Sequence, residues 1–268
     1  MNFNILERFF NPKILIIFNL FIIIAAELSG RFIEESGLIH YLAIFFVLLG
    51  IVRIALHYNV YDQFLRPLVY AAIVALVVLA FSHVIEFFGF VEEKNYEEII
   101  FTNIVNLYIA SMFIIAFGAE YFIRMAKGKS ALTLWLFAAA SVFFLVLTGL
   151  IFFGKIEVSL EFGSYMVYFY ILAILFTFAV VTAKLRDIKR RVSITSRFAS
   201  YYIYSFVLLA IAALIVILYD SIAEFGIPEY QIVYISHFFF YSALTLMFLA
   251  FAKFKDLSGM YAGLQSSE

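Results

Sequence analysis

The sequence predicts an all-α, polytopic membrane protein: eight transmembrane helices arranged as four tandem helical hairpins, in a single integral membrane domain over residues 1–268. Three observations predict it. Apolar runs long enough to span lipid recur along the whole chain. Hydrophobic residues make up 66% of it and charged residues 14%, against nearer half and a quarter in a soluble domain. The Lys and Arg residues fall almost entirely in every second loop.

A hydrocarbon core of about 30 Å needs roughly twenty helical residues. Runs of that length lie at 13–30, 37–58, 67–90, 97–124, 130–154, 162–186, 198–222 and 230–254. They lack the strict alternation of lipid-facing strands, so helices rather than a barrel satisfy the backbone. The three prolines respect this plan. Pro12 and Pro67 stand at span starts, where a missing N–H costs little, and Pro228 falls in a turn.

Taken in order, the basic residues thread the spans. Arg8 and Lys13 precede the first span. Arg53 and Arg66 flank the loop after the second, and Arg124, Lys127 and Lys129 follow the fourth. Lys184, Arg186, Lys189, Arg190, Arg191 and Arg197 follow the sixth, and Lys253 and Lys255 the eighth. That is fifteen of the eighteen; Arg31, Lys94 and Lys155 fall on the other side. Short Lys/Arg-rich loops stay cytoplasmic. The expected location is therefore the cell (plasma) membrane, multi-pass, with both termini cytoplasmic. Thirteen of the nineteen acidic residues fall on the outer side.

The outward helices end alike, in Ala26-Glu27-Leu28-Ser29-Gly30, Ile85-Glu86-Phe87-Phe88-Gly89 and Ala223-Glu224-Phe225-Gly226; the third pair ends Phe152-Phe153-Gly154, without the acid. Glycine suits a helix C-terminus because it adopts the left-handed conformation there. The glutamate is not explained by capping, since the helix dipole disfavours an anion at that end.

Several chemistries are excluded. The chain has no Cys, which removes disulfides, thiolate metal sites and cysteine nucleophiles. It has no phosphate loop, no His-Glu-x-x-His, no Gly-x-Gly-Asp and no Gly-x-Ser-x-Gly. A net charge of −1 gives no field for nucleic acid.

What remains is a set of histidines at one depth. At about 1.5 Å per residue, His83 lies seventeen residues beyond Arg66, His237 sixteen before Lys253, and His40 seventeen before His57. Each is thus about 25 Å from the inner boundary. Glu86 shares a helix face with His83, and Glu27, Asp220 and Asn106 come to a similar level. Ionisable groups inside spans are costly and tend to face a bundle interior, where they pair or line a pathway.

The expectation is an outer-leaflet cluster. His40, His83 and His237 serve as metal ligands, and Glu86, Glu27, Asp220 and Asn106 complete the cofactor site. The site binds one transition metal, one haem b or a quinone for electron transfer or redox sensing, since imidazole suits Zn, Cu, Fe and Ni and can clamp haem iron. One alternative is a signal-input or scaffold protein that docks a cytoplasmic partner through the basic 184–197 segment, at Lys184, Arg186, Lys189, Arg190, Arg191 and Arg197. Another is a proton- or cation-coupled transporter that uses the same acids. The surrounding partner in every case is the lipid bilayer.

Overall fold

The computed structural model describes residues 38–56, 66–91, 97–127, 132–155, 160–191 and 196–265, together with Ile14, Ile17 and Phe21. Among them every regular element is a helix, with no strand. In chain order the helices are α1 (Leu38–Leu56), α2 (Arg66–Val91), α3 (Glu97–Lys127), α4 (Leu132–Phe152), α5 (Leu160–Arg191), α6 (Ser196–Ile217), α7 (Tyr219–Glu224) and α8 (Glu229–Gln265). Seven of the eight expected spans carry a helix. The first, 13–30, lies outside the described residues except for Ile14, Ile17 and Phe21, which are helical and exposed.

Six of these helices are long and apolar enough to cross a membrane; α1 contributes a shorter apolar stretch, His40–Val52. The exposed surface agrees. Trp135, Leu136, Val142, Phe143 and Val146 on α4, and Tyr168, Phe169, Leu172, Leu175 and Phe176 on α5, all face outward. A soluble monomer does not expose apolar area on this scale, and the chain is a membrane protein.

Two helix ends follow the glycine rule and one does not. Gly154 has φ 63°, and the bonds Gly154 N–H to Ile151 O (3.0 Å) and Lys155 N–H to Leu150 O (2.8 Å) close α4 as a Schellman motif. Gly226 (φ 82°) ends the short α7. Gly89 lies inside α2, which continues to Val91. The run expected at 198–222 also divides, because the chain turns at Leu218 between α6 and α7.

The packing centres on α3. It touches α2, α4, α5 and α6, and its residues from 102 to 120 are almost all buried. This is why it, among so many apolar helices, tolerates Thr102, Asn103, Asn106, Ser111 and Glu120: they face protein rather than lipid. Gly118 lets α2 and α3 approach, since a Cβ there would lie 2.4 Å from Ala71 Cβ. On the other side α8 lies along α6, joined by the Ser205 hydroxyl donating to Ala243 O (2.6 Å).

Both helices of three of the expected hairpins are described, and the pairs differ. The α2–α3 and α6–α8 pairs pack along their length. α4 and α5 are consecutive but pack mainly on α3 and α6, and meet through rings, Phe144 against Phe169 and Tyr170.

Candidate metal centre

The cluster forms where the first turn of α1, the last turns of α2 and the early turns of α8 converge. His40 enters from α1, His83 and Glu86 from α2, and His237 from α8. A ligand atom from each of the four lies within 4.8 Å of the other three. The ring centroids form a near-regular triangle: His40–His83 6.0 Å, His40–His237 5.2 Å and His83–His237 5.3 Å. His40, His83 and His237 are 1%, 0% and 4% exposed; Glu86, at 17%, is the most accessible of the four.

Local helix geometry sets this up. His83 and Glu86 are three residues apart, so they share a face and can touch within one helix. Nδ1 of His83 lies 2.8 Å from Oε2 of Glu86, and Nδ1 of His40 lies 3.0 Å from the same oxygen. A carboxylate accepts only, so His83 carries its proton on Nδ1 and donates it to Glu86, while His40 meets the same oxygen at ion-pair distance. On the far side of His83, Nε2 lies 3.2 Å from the Tyr108 hydroxyl of α3; with Nδ1 protonated, Nε2 accepts and the tyrosine donates. His237 is held by its own helix. Its Nδ1 lies 2.9 Å from Val233 O, one turn back. A carbonyl only accepts, so this ring too is protonated on Nδ1. Its Nε2 is buried and has no hydrogen-bond partner among the described residues.

Phe240 packs edge-on against His83 at 4.6 Å, and Tyr241 sits 6.1 Å from His237. Together with Tyr108 they form an aromatic floor. Three imidazoles and a carboxylate in an apolar shell make a donor set suited to a borderline divalent ion.

The other expected site residues lie elsewhere. Asn106 is on α3, but two residues from Tyr108 is about 200° around a helix, so it faces away from the histidines. Its Oδ1 accepts from the Tyr170 hydroxyl of α5 at 2.7 Å. Asp220 is exposed on α7, as is Glu224, so the shared Glu-before-Gly pattern does not carry a shared role. Glu27 falls outside the described residues. Of the basic set, Arg186 is exposed on α5; the side chains of Lys184, Lys189, Arg190, Arg191 and Arg197 lie outside the description.

Tyr108 and Glu120 were not anticipated. Tyr108 stands among apolar neighbours on a span rich in aromatics, with no local feature that marks it. Glu120 is buried near the opposite end of α3, accepting from Arg124 Nε (2.9 Å) and the Thr133 hydroxyl (2.6 Å), while Arg124 Nη2 also donates to Thr133 (2.9 Å). Its i, i+4 spacing from Arg124 is the signal that could have found it.

No protein-family model, no curated protein and no solved structure matches this chain.

Proposed function

We propose that the protein is a metal-binding module of the plasma membrane, and that its ligand is a single divalent transition-metal ion held by His40, His83, Glu86 and His237. One observation carries this reading: four ligand atoms from three helices within 4.8 Å of one another, in a buried setting. Bringing three imidazoles and a carboxylate together in an apolar bundle sacrifices their solvation. A cation returns that loss, because it takes the lone pairs of all four groups at once.

The geometry favours a bare ion over the two larger ligands. A haem would have to pass its macrocycle between rings whose centroids are 5.2 to 6.0 Å apart, with Glu86 beside two of them and Phe240 against His83. A quinone head would need to displace the same contacts. With the basic loops on the cytoplasmic side, the cluster lies in the outer leaflet and both termini lie inside. Glu86 is then the group through which an ion enters, since it is the donor with accessible surface.

The test is elemental analysis of the detergent-purified full chain after exposure to Zn2+, Cu2+, Ni2+ or Co2+ and removal of excess. The expected result is one equivalent of ion per chain, reduced below a tenth in the His40→Ala/His83→Ala double variant. Metal content unchanged in that variant would refute the site.

A further inference from the structure

We infer, building on that reading, that the ion occupies a closed four-ligand clasp that ties α8 to the α1–α2 pair. The clasp uses Nδ1 of His40, Nδ1 of His83, a carboxylate oxygen of Glu86 and Nε2 of His237. The class of ligand follows: an ion content with four-coordinate N3O ligation, of which Zn2+ is the type and Co2+ the visible probe.

The choice of atoms comes from what each ring already does. Nδ1 of His40 and of His83 converge on one oxygen, Oε2 of Glu86, at 3.0 and 2.8 Å. A divalent ion placed at that convergence takes the Nδ1 lone pair of each ring. The His83 proton then moves from Nδ1 to Nε2 of its own ring, so it is not lost. On His83 the Tyr108 hydroxyl is already at Nε2, 3.2 Å away, and turns from donor to acceptor, as a hydroxyl can. Tyr108 is therefore a positioning residue, the kind of outer partner that orients a metal-bound imidazole. His237 differs because its Nδ1 is committed to Val233 O. The atom left to bind is Nε2, the one ring nitrogen of His237 that is buried without a partner among the described residues.

The site is closed because four protein donors fill a four-coordinate ion. All three imidazoles are buried, and His83 packs against Tyr108 and Phe240. Four protein donors with no open position is the pattern of structural rather than hydrolytic zinc. Tetrahedral ligands at about 2.0–2.1 Å from zinc lie about 3.3 Å from each other. Donors that now spread over as much as 4.8 Å must therefore draw together by up to about 1.5 Å.

Near the cluster, α2 meets α8 through His83 with His237 and Phe240. Further along, α8 meets α1 through Phe46 with Tyr241 and Phe248 and lies along α6. An ion shared by His83, Glu86 and His237 adds a direct tie between α2 and α8 at the cluster itself.

Two measurements on the full chain in detergent test this. Titration of the metal-free protein with Co2+ should give one equivalent with the intense visible bands of four-coordinate cobalt, abolished by one equivalent of Zn2+. In His237→Ala the bands should weaken to those of a five- or six-coordinate, water-bearing ion, with affinity down about 100-fold. Because the chain has no cysteine, spin labels can be placed on α2 and α8 by Phe81→Cys with Ile235→Cys, both exposed positions. Zn2+ should shorten and narrow the distance distribution, and should leave it unchanged when His237→Ala is added. One equivalent of Co2+ with only weak bands in the native sequence would overturn the closed clasp and leave the metal site standing. No cobalt or zinc binding at all would overturn both. A label distance indifferent to zinc would overturn the tie between α2 and α8.

Discussion

Glu86→Gln isolates the contribution of charge to this cluster, independently of any ion. In the native chain one carboxylate oxygen accepts from the His83 N–H at 2.8 Å and lies 3.0 Å from Nδ1 of His40. Glutamine preserves the shape and one acceptor oxygen but removes the charge. A hydrogen bond to a charged acceptor contributes about 1.5–3 kcal/mol and a neutral one about 0.5–1.5 kcal/mol. Downgrading the His83 bond therefore removes about 1–1.5 kcal/mol. Hydrogen bonds between helices in membranes average only about 0.6 kcal/mol, so the lower end, about 1 kcal/mol, is the expected loss. For a chain of this size that corresponds to a fall of about 2–4 °C in the unfolding midpoint. The measurement is thermal unfolding of the chelator-treated protein in detergent, native against Glu86→Gln, with Glu224→Gln as the exposed control that should not move. A midpoint for Glu86→Gln equal to that of the control would show that the carboxylate does not hold the His83 ring, and the protonation scheme derived from it would fall.

Tyr108→Phe removes the hydroxyl at His83 Nε2 and nothing else; zinc affinity should drop about 10- to 100-fold at unchanged stoichiometry, measured by competition with a chromophoric chelator. Gly118→Ala and Gly149→Ala should diverge. The first forces a Cβ to within 2.4 Å of Ala71 Cβ and should destabilise by about 1–3 kcal/mol. The second meets nothing within 4 Å and should gain up to about 1 kcal/mol of helix propensity; unfolding midpoints that move together would contradict the α2–α3 packing. Arg124→Ala strips a guanidinium from the buried Glu120 and should cost about 3 kcal/mol or more, a loss that Glu120→Gln in the same chain should partly restore. Additive effects of those two substitutions would show that the groups act independently.

The sequence by itself determined the environment, the helices and the depth of the histidines. A run of some twenty apolar residues has one cheap structure in lipid, because every backbone polar group must be satisfied within the segment. Length and composition therefore place α2, α3 and α4 to within three residues of their expected spans and the starts of α5, α6 and α8 to within two, whereas α8 runs on to Gln265, well past its expected end at 254. Counting at a fixed rise per residue also put His40, His83 and His237 at one level. What counting cannot supply is rotation. Depth follows from one coordinate along each helix, whereas convergence depends on which way each helix turns its face, and nearly uniform apolar spans carry little periodicity to fix that. Only the packed bundle decided that Asn106, at the right height, turns to Tyr170. It alone decided that Asp220 sits exposed on a separate short helix, and that Tyr108 reaches His83 across 25 residues of chain. Glu86 was legible because its partner His83 is on the same helix face; its second partner, His40, was set by how α1 lies against α2, which is a property of side-chain packing and not of any local stretch of sequence.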